Sequence, residues 1–297
     1  MNSNKILEIS LIKKPEFRLD LSKINWDRFF ENCISKKRSE ATVLDGSRKK
    51  PFEEFFSVKQ NNEHPYDFPS HFYSQEILDK RKCLKKIVFQ GDLREVDFLG
   101  FKSKNAHILI NGHVGNYVGC MMQTGSITIK GSAGHFVGAM MSGGTLIVEG
   151  DVGNYAGANL TGEMEGMVGG YLSVKGNAGN NFCRRMRRGF AFVLGDVGDF
   201  FANDMIAGSV VVGGTVGKLW GYGMRRGTIV FAKHQVVSPH VFKETYHDFS
   251  SYWGLLKPVI ESFNGPFPSL VNVLPKRFVG DLAFGGKGEC LLPRNTA

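Results

Sequence analysis

Glycine recurs along this chain at fixed intervals, and that recurrence constrains the fold more than any other feature. One column holds Gly115, Gly134, Gly153, Gly179, Gly198 and Gly217, and a second holds Gly125, Gly144, Gly170, Gly189, Gly208 and Gly227. A third runs Gly119, Gly138, Gly157, Cys183, Ala202 and Gly221. All three share a 19-residue period, interrupted once by seven extra residues between Gly157 and Met167. A degenerate unit precedes them, from Gly91 through Gly100, with Ala106 in the column of Gly125. Self-similarity of this kind marks a repeat architecture, in which each unit buries its apolar face against its neighbours. Of the 10 prolines hardly any fall in this stretch, so it is neither collagen-like nor a flexible linker.

Each unit ends in a β-rich run, such as Ser126 to Lys130 or Thr145 to Glu149. Two positions per run are apolar throughout. One column is Ile108, Ile127, Leu146, Leu172, Ala191, Val210 and Ile229; the other is Ile110, Ile129, Val148, Val174, Val193, Val212 and Phe231. Strands alternate faces with period two, so these columns point inward. A 19-residue unit is too short for a helical crossover plus a second element. The expectation is therefore an all-β solenoid, a right-handed parallel β-helix of about eight 19-residue coils from Ile87 to Lys233, with small mixed α/β caps at both ends. The glycines would supply corners needing positive φ or close backbone approach.

Met122, Met141, Met167, Met186, Met205 and Met224 form a further column, with Ser103 in their place in the first unit. An adaptable thioether suits irregular corner space, so the column reads as a buried ladder. A soft-metal site is the alternative, but no Cys or His joins the column. The outward positions change from polar at Ser126, Thr128 and Lys130 to apolar at Phe190, Phe192, Leu194, Val211 and Val230. Such a face must be covered, either by the chain's own C-terminal segment or by another subunit.

The boundaries read as an N-terminal segment over 1–84, the repeat domain over 85–235 and a helical and loop extension over 236–297. Within the first, Ile6 to Leu11 and Phe17 to Leu21 suggest an antiparallel pair, Asn25 to Ser35 a helix, and 36–50 a basic loop. Tyr252 to Phe263 reads as helix, followed by a Gly/Pro-rich loop. Both flanks would shield the open edges of the repeat.

The five cysteines are scattered without metal-ligand spacing, which suits a reducing cytoplasm. Neither a signal peptide nor an apolar run long enough to span a bilayer is present, so a cytoplasmic location without membrane contact is expected. The formal charge of +9 attracts anionic partners in general and does not by itself argue for nucleic acid. None of the eight histidines forms an HxH or HExxH pair, and no nucleophile sits in a recognisable elbow. Catalytic and metal-ligating residues are accordingly none. The basic set Arg184, Arg185, Arg187, Arg188, Arg225 and Arg226 does stand out. Arg187 and Arg225 are two repeats apart, as are Arg188 and Arg226, which sets them ~10 Å apart on one edge. Guanidinium groups recognise carboxylates bidentately, so this edge is a candidate site for an acidic ligand or an acidic partner surface.

These residues resemble a known family. Tandem G-x-x-G-x-x-x-G units of this length look like the GXGXG domain, which occurs in the β-helical scaffold protein of formylmethanofuran dehydrogenase. The same domain occurs in its bacterial formyltransferase/hydrolase counterpart and in the C-terminal part of glutamate synthase large subunits. Gly162 to Gly170 resembles the family's inserted coil and Met224 to Val230 its last one. Asp45-Gly46 followed by Phe52 to Val58 is similar to the N-terminal segment of the formylmethanofuran dehydrogenase scaffold. Arg277 to Asp281, running on to Gly288-Glu289, resembles the tail of the bacterial form. The resemblance implies a non-catalytic structural subunit of a formyltransferase/hydrolase complex. That complex moves a formyl group from tetrahydromethanopterin to a methanofuran-type carrier and hydrolyses it to formate. The implied partners are a zinc-dependent amidohydrolase-like subunit, a formyltransferase subunit and one further subunit, with no cofactor bound by this chain alone. The six arginines would meet the carrier's acidic tail. A tungsten or molybdenum formylmethanofuran dehydrogenase is the related alternative, and a stand-alone polyanion-binding solenoid the unrelated one.

Overall fold

The computed structural model describes residues 6–35, 41–61, 85–261 and 273–294. The repeat supplies eight strands that pair in chain order. They are β6 (Lys85–Gln90), β8 (Ala106–Asn111), β9 (Gly125–Ile129), β10 (Ser142–Val148), β11 (Gly169–Val174), β12 (Phe190–Val193), β13 (Ser209–Val212) and β14 (Gly227–Phe231). The pairing is parallel and in the register of the columns: Ile108 opposes Ile127, Ile127 opposes Leu146, Leu146 opposes Leu172, and Val210 opposes Ile229. The seven-residue insertion lies in the connection between β10 and β11, whose partners Leu146 and Leu172 are 26 residues apart where Ile127 and Leu146 are 19 apart, and the β10–β11 pairing has a separate local irregularity between Ser142 and Thr145. A second line of parallel contacts is made of single bridges, from Leu93 and Val114 through Ala133, Val152, Ala178 and Val197 to Val216. Both inward columns are buried, and all six methionines of the ladder are inaccessible to solvent.

The fold class departs from expectation. In place of an all-β solenoid of about eight coils with separate α/β caps, the described residues form one large, mostly parallel sheet of 13 strands, with few helices. The physical reason lies in the flanks. Strand β1 (Ile6–Leu11) inserts beside β6 in parallel and pairs antiparallel with β5 (Phe56–Asn61). At the other end β17 (Gly288–Leu292) adds in parallel to β14, and β16 (Lys276–Gly280) and β15 (Lys243–Thr245) follow antiparallel. The resulting order is β15-β16-β17-β14-β13-β12-β11-β10-β9-β8-β6-β1-β5. Flanking segments thus extend the sheet instead of forming small domains at its ends. A repeat period determines which strands are neighbours; it carries no information about what the non-repeating strands do at the edges.

A second, four-stranded sheet is built from β2 (Leu19–Asp20), β3 (Thr42–Asp45), β4 (Arg48–Pro51) and β7 (Val96–Asp97), in the order β4-β3-β2-β7. The expected pairing of Ile6–Leu11 with the segment around Leu19 does not occur, because each finds a more distant partner. The expected basic loop is a β3–β4 hairpin over 42–51, turning at Gly46, while 36–40 lie outside the described residues. Helix α1 (Trp26–Ile34) forms as read: the Arg28 N–H donates to the Asn25 cap at 3.0 Å, and Trp26 and Phe29 are buried. Helix α2 (Ser250–Glu261) occupies the segment expected to be helical, with 262–263 outside the described residues. Its Trp253, Leu256 and Ile260 pack on Phe192, Val211 and Val230. The apolar outward face of the late repeats is therefore covered by the chain's own C-terminal segment.

Candidate functional site

The turns between strands hold features that position every candidate side chain. Polar residues one repeat apart are joined by side-chain acceptors. The Asn116 N–H donates to Asp97 Oδ1 at 2.6 Å, the His135 N–H to Asn116 Oδ1 at 2.8 Å, and the Asn154 N–H to His135 Nδ1 at 2.9 Å. The chain of contacts continues through Asn180 and Asp199 to the Lys218 N–H. A second ladder joins His113, Ser132, Asp151, Asn177, Asp196 and Thr215. In both ladders the histidine Nδ1 accepts, so its proton resides on Nε2. His113 and His135 are thus structural acceptors. His107 hydrogen-bonds Ser126 across one repeat at 2.7 Å and is buried.

The ladders explain one glycine column. A Cβ at Gly198 would lie 2.2 Å from Asn180 Oδ1, so close approach, not backbone conformation, requires glycine there. The column of Gly227 differs: its φ of +101° lies where side chains are strained. Alongside, Phe98, Tyr117, Phe136 and Tyr155 stack with ring centroids 4.4 to 4.9 Å apart. The stack ends at Tyr155, because Asn181 holds that position in the next repeat.

The structure divides the six arginines. Arg184 and Arg185 turn toward the insertion and approach the same carboxylate oxygen, Asp204 Oδ2, each at 3.5 Å. Both line a cavity of about 550 Å³ together with Tyr155 and the insertion residues Asn159 to Met164 other than Leu160. Arg187 and Arg188 precede β12, and Arg225 and Arg226 precede β14. Arg187 pairs with Glu165 of the insertion. Arg188, Arg225 and Arg226 are exposed and make no ion pair among the described residues. The β14–β17 register, Gly227 opposite Gly288, sets Lys287 beside Arg226 and extends this row by one cation. Sequence reasoning missed Lys287, whose neighbour relation arises from pairing across the non-repeating tail. It also missed the two ladders, although their polar residues recur at the same 19-residue spacing as the glycines.

Elsewhere the titratable groups behave as structural elements. Burial pushes the Cys120 thiol up to about 12 and the Cys183 thiol higher still. Burial likewise raises Cys33, to about 11. Among the described residues no group of three or more His, Cys, Asp or Glu side chains is placed to hold a metal ion. No helix among them is long and apolar enough to cross a membrane.

A family model described as the GXGXG motif matches residues 94–248. The chain belongs to the GXGXG motif family. This GXGXG chain is also similar in structure to a chain of the formyltransferase/hydrolase complex (FhcABCD) from Methylorubrum extorquens, a crystal structure in complex with methylofuran. The two share 28% sequence identity and a TM-score of 0.81, with 97% of this chain and 100% of that chain covered. No match is found among curated protein sequences. The resemblance drawn from the residues thus agrees with both the family model and the structural likeness. The likeness extends past the GXGXG repeat to the flanking strands, since it covers nearly the whole chain.

Proposed function

We propose that this chain is a structural, non-catalytic subunit of a formyltransferase/hydrolase complex in the cytoplasm. The single observation that carries the reading is the structural likeness to a chain of such a complex, with 97% of this chain and 100% of that chain covered. In this reading the complex moves a formyl group from tetrahydromethanopterin to a methanofuran-type carrier and releases it as formate. The chemistry falls to an amidohydrolase-like subunit holding zinc, a formyltransferase subunit and a further subunit, and the repeat domain over 85–235 holds them together. The side chains fit such a division of labour. The histidines at 113 and 135 are committed to backbone hydrogen bonds, and the thiols at 120 and 183 are buried and held protonated.

The arginines are proposed to meet the acidic tail of the carrier. Arg188, Arg225 and Arg226 suit this role best, because they are exposed and lack carboxylate partners among the described residues. A row of cations ~5 to 10 Å apart along the strand-stacking direction matches an extended polycarboxylate. The test of membership is purification of the tagged chain from its own organism, with mass spectrometry of what stays bound. A zinc amidohydrolase and a formyltransferase should co-purify. Recovery of the chain alone contradicts the reading, and recovery with molybdopterin or iron–sulfur proteins moves it to a dehydrogenase.

A further inference from the structure

Met164, in the insertion, differs from every other described methionine. The six ladder methionines are inaccessible to solvent, and Met121 and Met140 are half-buried, whereas Met164 is 69% exposed. The loop that carries it is anchored on both sides. The Glu163 N–H donates to the Leu160 carbonyl at 3.0 Å, and the Asn159 amide donates to the Glu163 carbonyl at 2.8 Å. Beyond Met164, Glu165 pairs with Arg187 and the Gly166 N–H donates to the Arg185 carbonyl at 2.8 Å. The Met164 side chain is thus held near the repeat while remaining open to solvent.

Its sulfur faces a cation. Arg185 Nη1 donates to Met164 Sδ at 3.6 Å and to the Glu163 carbonyl at 3.4 Å. The ion pair of Arg185 with Asp204 is made by Nε, so Nη1 is directed at the insertion. Both of its contacts there are weak: one is long for an N–H···O bond, and the other ends on a thioether, a poor acceptor. An oxygen added to that sulfur is a far better acceptor, and the unbranched side chain has the torsional freedom to bring it onto Nη1.

The described thiols do not compete for an oxidant. Peroxide reacts with the thiolate, and burial holds Cys33 up at about 11, Cys120 up at about 12 and Cys183 and Cys290 well above the ordinary thiol range. A thioether has no proton to lose, so exposure decides its reactivity, and exposure selects Met164.

We propose that Met164 is a site of reversible oxidation by hydroperoxides, and that its sulfoxide ties the insertion to Arg185. In the step with hydrogen peroxide an S–O bond forms and the O–O bond breaks. Sulfur is oxidised by two electrons, and the proton left on the transferred oxygen passes to the departing hydroxide, which leaves as water. The sulfoxide oxygen then accepts from Arg185 Nη1. The change also turns an apolar part of the cavity wall beside Tyr155 polar. It stands whether or not the chain belongs to a formyl-transferring assembly.

The experiment treats the full-length chain with hydrogen peroxide at neutral pH, maps the added oxygen by peptide mass spectrometry and follows hydrogen exchange across residues 159–167. Met164 should be oxidised about tenfold or more faster than the ladder methionines. Its oxidation should slow exchange in the insertion about threefold, the change that one added hydrogen bond gives. Methionine sulfoxide reductases acting on both epimers, with a thiol reductant, should restore the original exchange. Met164→Leu should show neither the oxygen nor the slowing, and Arg185→Gln should gain the oxygen without the slowing. If Arg185→Gln melts at a lower temperature than the native chain, the comparison of the native chain before oxidation, after it and after repair carries the test. Ladder methionines oxidising as fast as Met164, or a Met164 sulfoxide that leaves exchange in the insertion unchanged, overturns the proposal.

Discussion

Gly198 and Asn180 are two halves of one contact. Alanine at 198 would put its Cβ 2.2 Å from Asn180 Oδ1, and the acceptor would have to leave the Asp199 N–H. Gly198→Ala should cost about 1–3 kcal/mol in denaturant unfolding, and Asn180→Ala about 0.5–1.5 kcal/mol. The two losses should be less than additive, since removing Asn180 relieves part of the clash. Additive losses would mean that the ladder is not what demands glycine. Asp196 provides a pH handle. The Thr215 N–H and hydroxyl donate to its carboxylate and hold it below the usual range. Its contribution to stability is therefore complete above the ordinary carboxylate range and is lost as pH falls through the lowered value. Asp196→Asn, which keeps an acceptor, should flatten that part of a melting-temperature profile. Cys120 and Cys183 should resist alkylation at neutral pH in the native chain, because burial excludes the reagent and keeps the thiols protonated. Rapid labelling of either would show that the core opens locally. At this scale the glycine columns were legible from their spacing, while their causes were not: close approach at Gly198 and positive φ at Gly227 look alike in a sequence.

Helix α2 shows what periodicity alone leaves open at the scale of elements. Phe192, Val211 and Val230 announced a covered face, and two covers were possible; Trp253, Leu256 and Ile260 of the same chain provide it. Trp253→Ala should cost about 3–5 kcal/mol, read from the denaturant midpoint. A negligible change would mean that α2 lies loosely on the sheet. Strand pairing within the repeat was readable because identical registers recur, Ile127 on Leu146 and Val210 on Ile229. Pairing in the flanks was not. β1 contacts β5 and β6, which lie far along the chain, and no local alternation in Ile6 to Leu11 reveals a distant partner. The β3–β4 hairpin was hidden by its own composition, since Arg48, Lys49 and Lys50 read as loop.

At the scale of the whole molecule, a 19-residue period predicted the order of eight parallel strands, and the inference from that order to a solenoid with α/β caps did not hold. The 13-stranded sheet grows at both ends from segments without repeats. The candidate site was partly legible: the six arginines were visible as a cluster, but a sequence does not show that Asp204 and Glu165 engage three of them. Replacing Arg187, Arg188, Arg225 and Arg226 by Gln in the assembled complex should weaken carrier binding and reduce its salt dependence. Unchanged affinity and unchanged salt dependence would remove the carrier from this edge. A chain that organises a formyl-transferring and hydrolysing assembly without performing the chemistry should leave a clear signature in formate release from a formylated carrier. The measurement compares the isolated chain, the assembly that co-purifies with it, and that assembly prepared without it. No turnover by the chain alone, turnover by the assembly and impaired transfer when the chain is missing are expected; turnover by the isolated chain, or an assembly indifferent to its absence, would overturn the scaffold role.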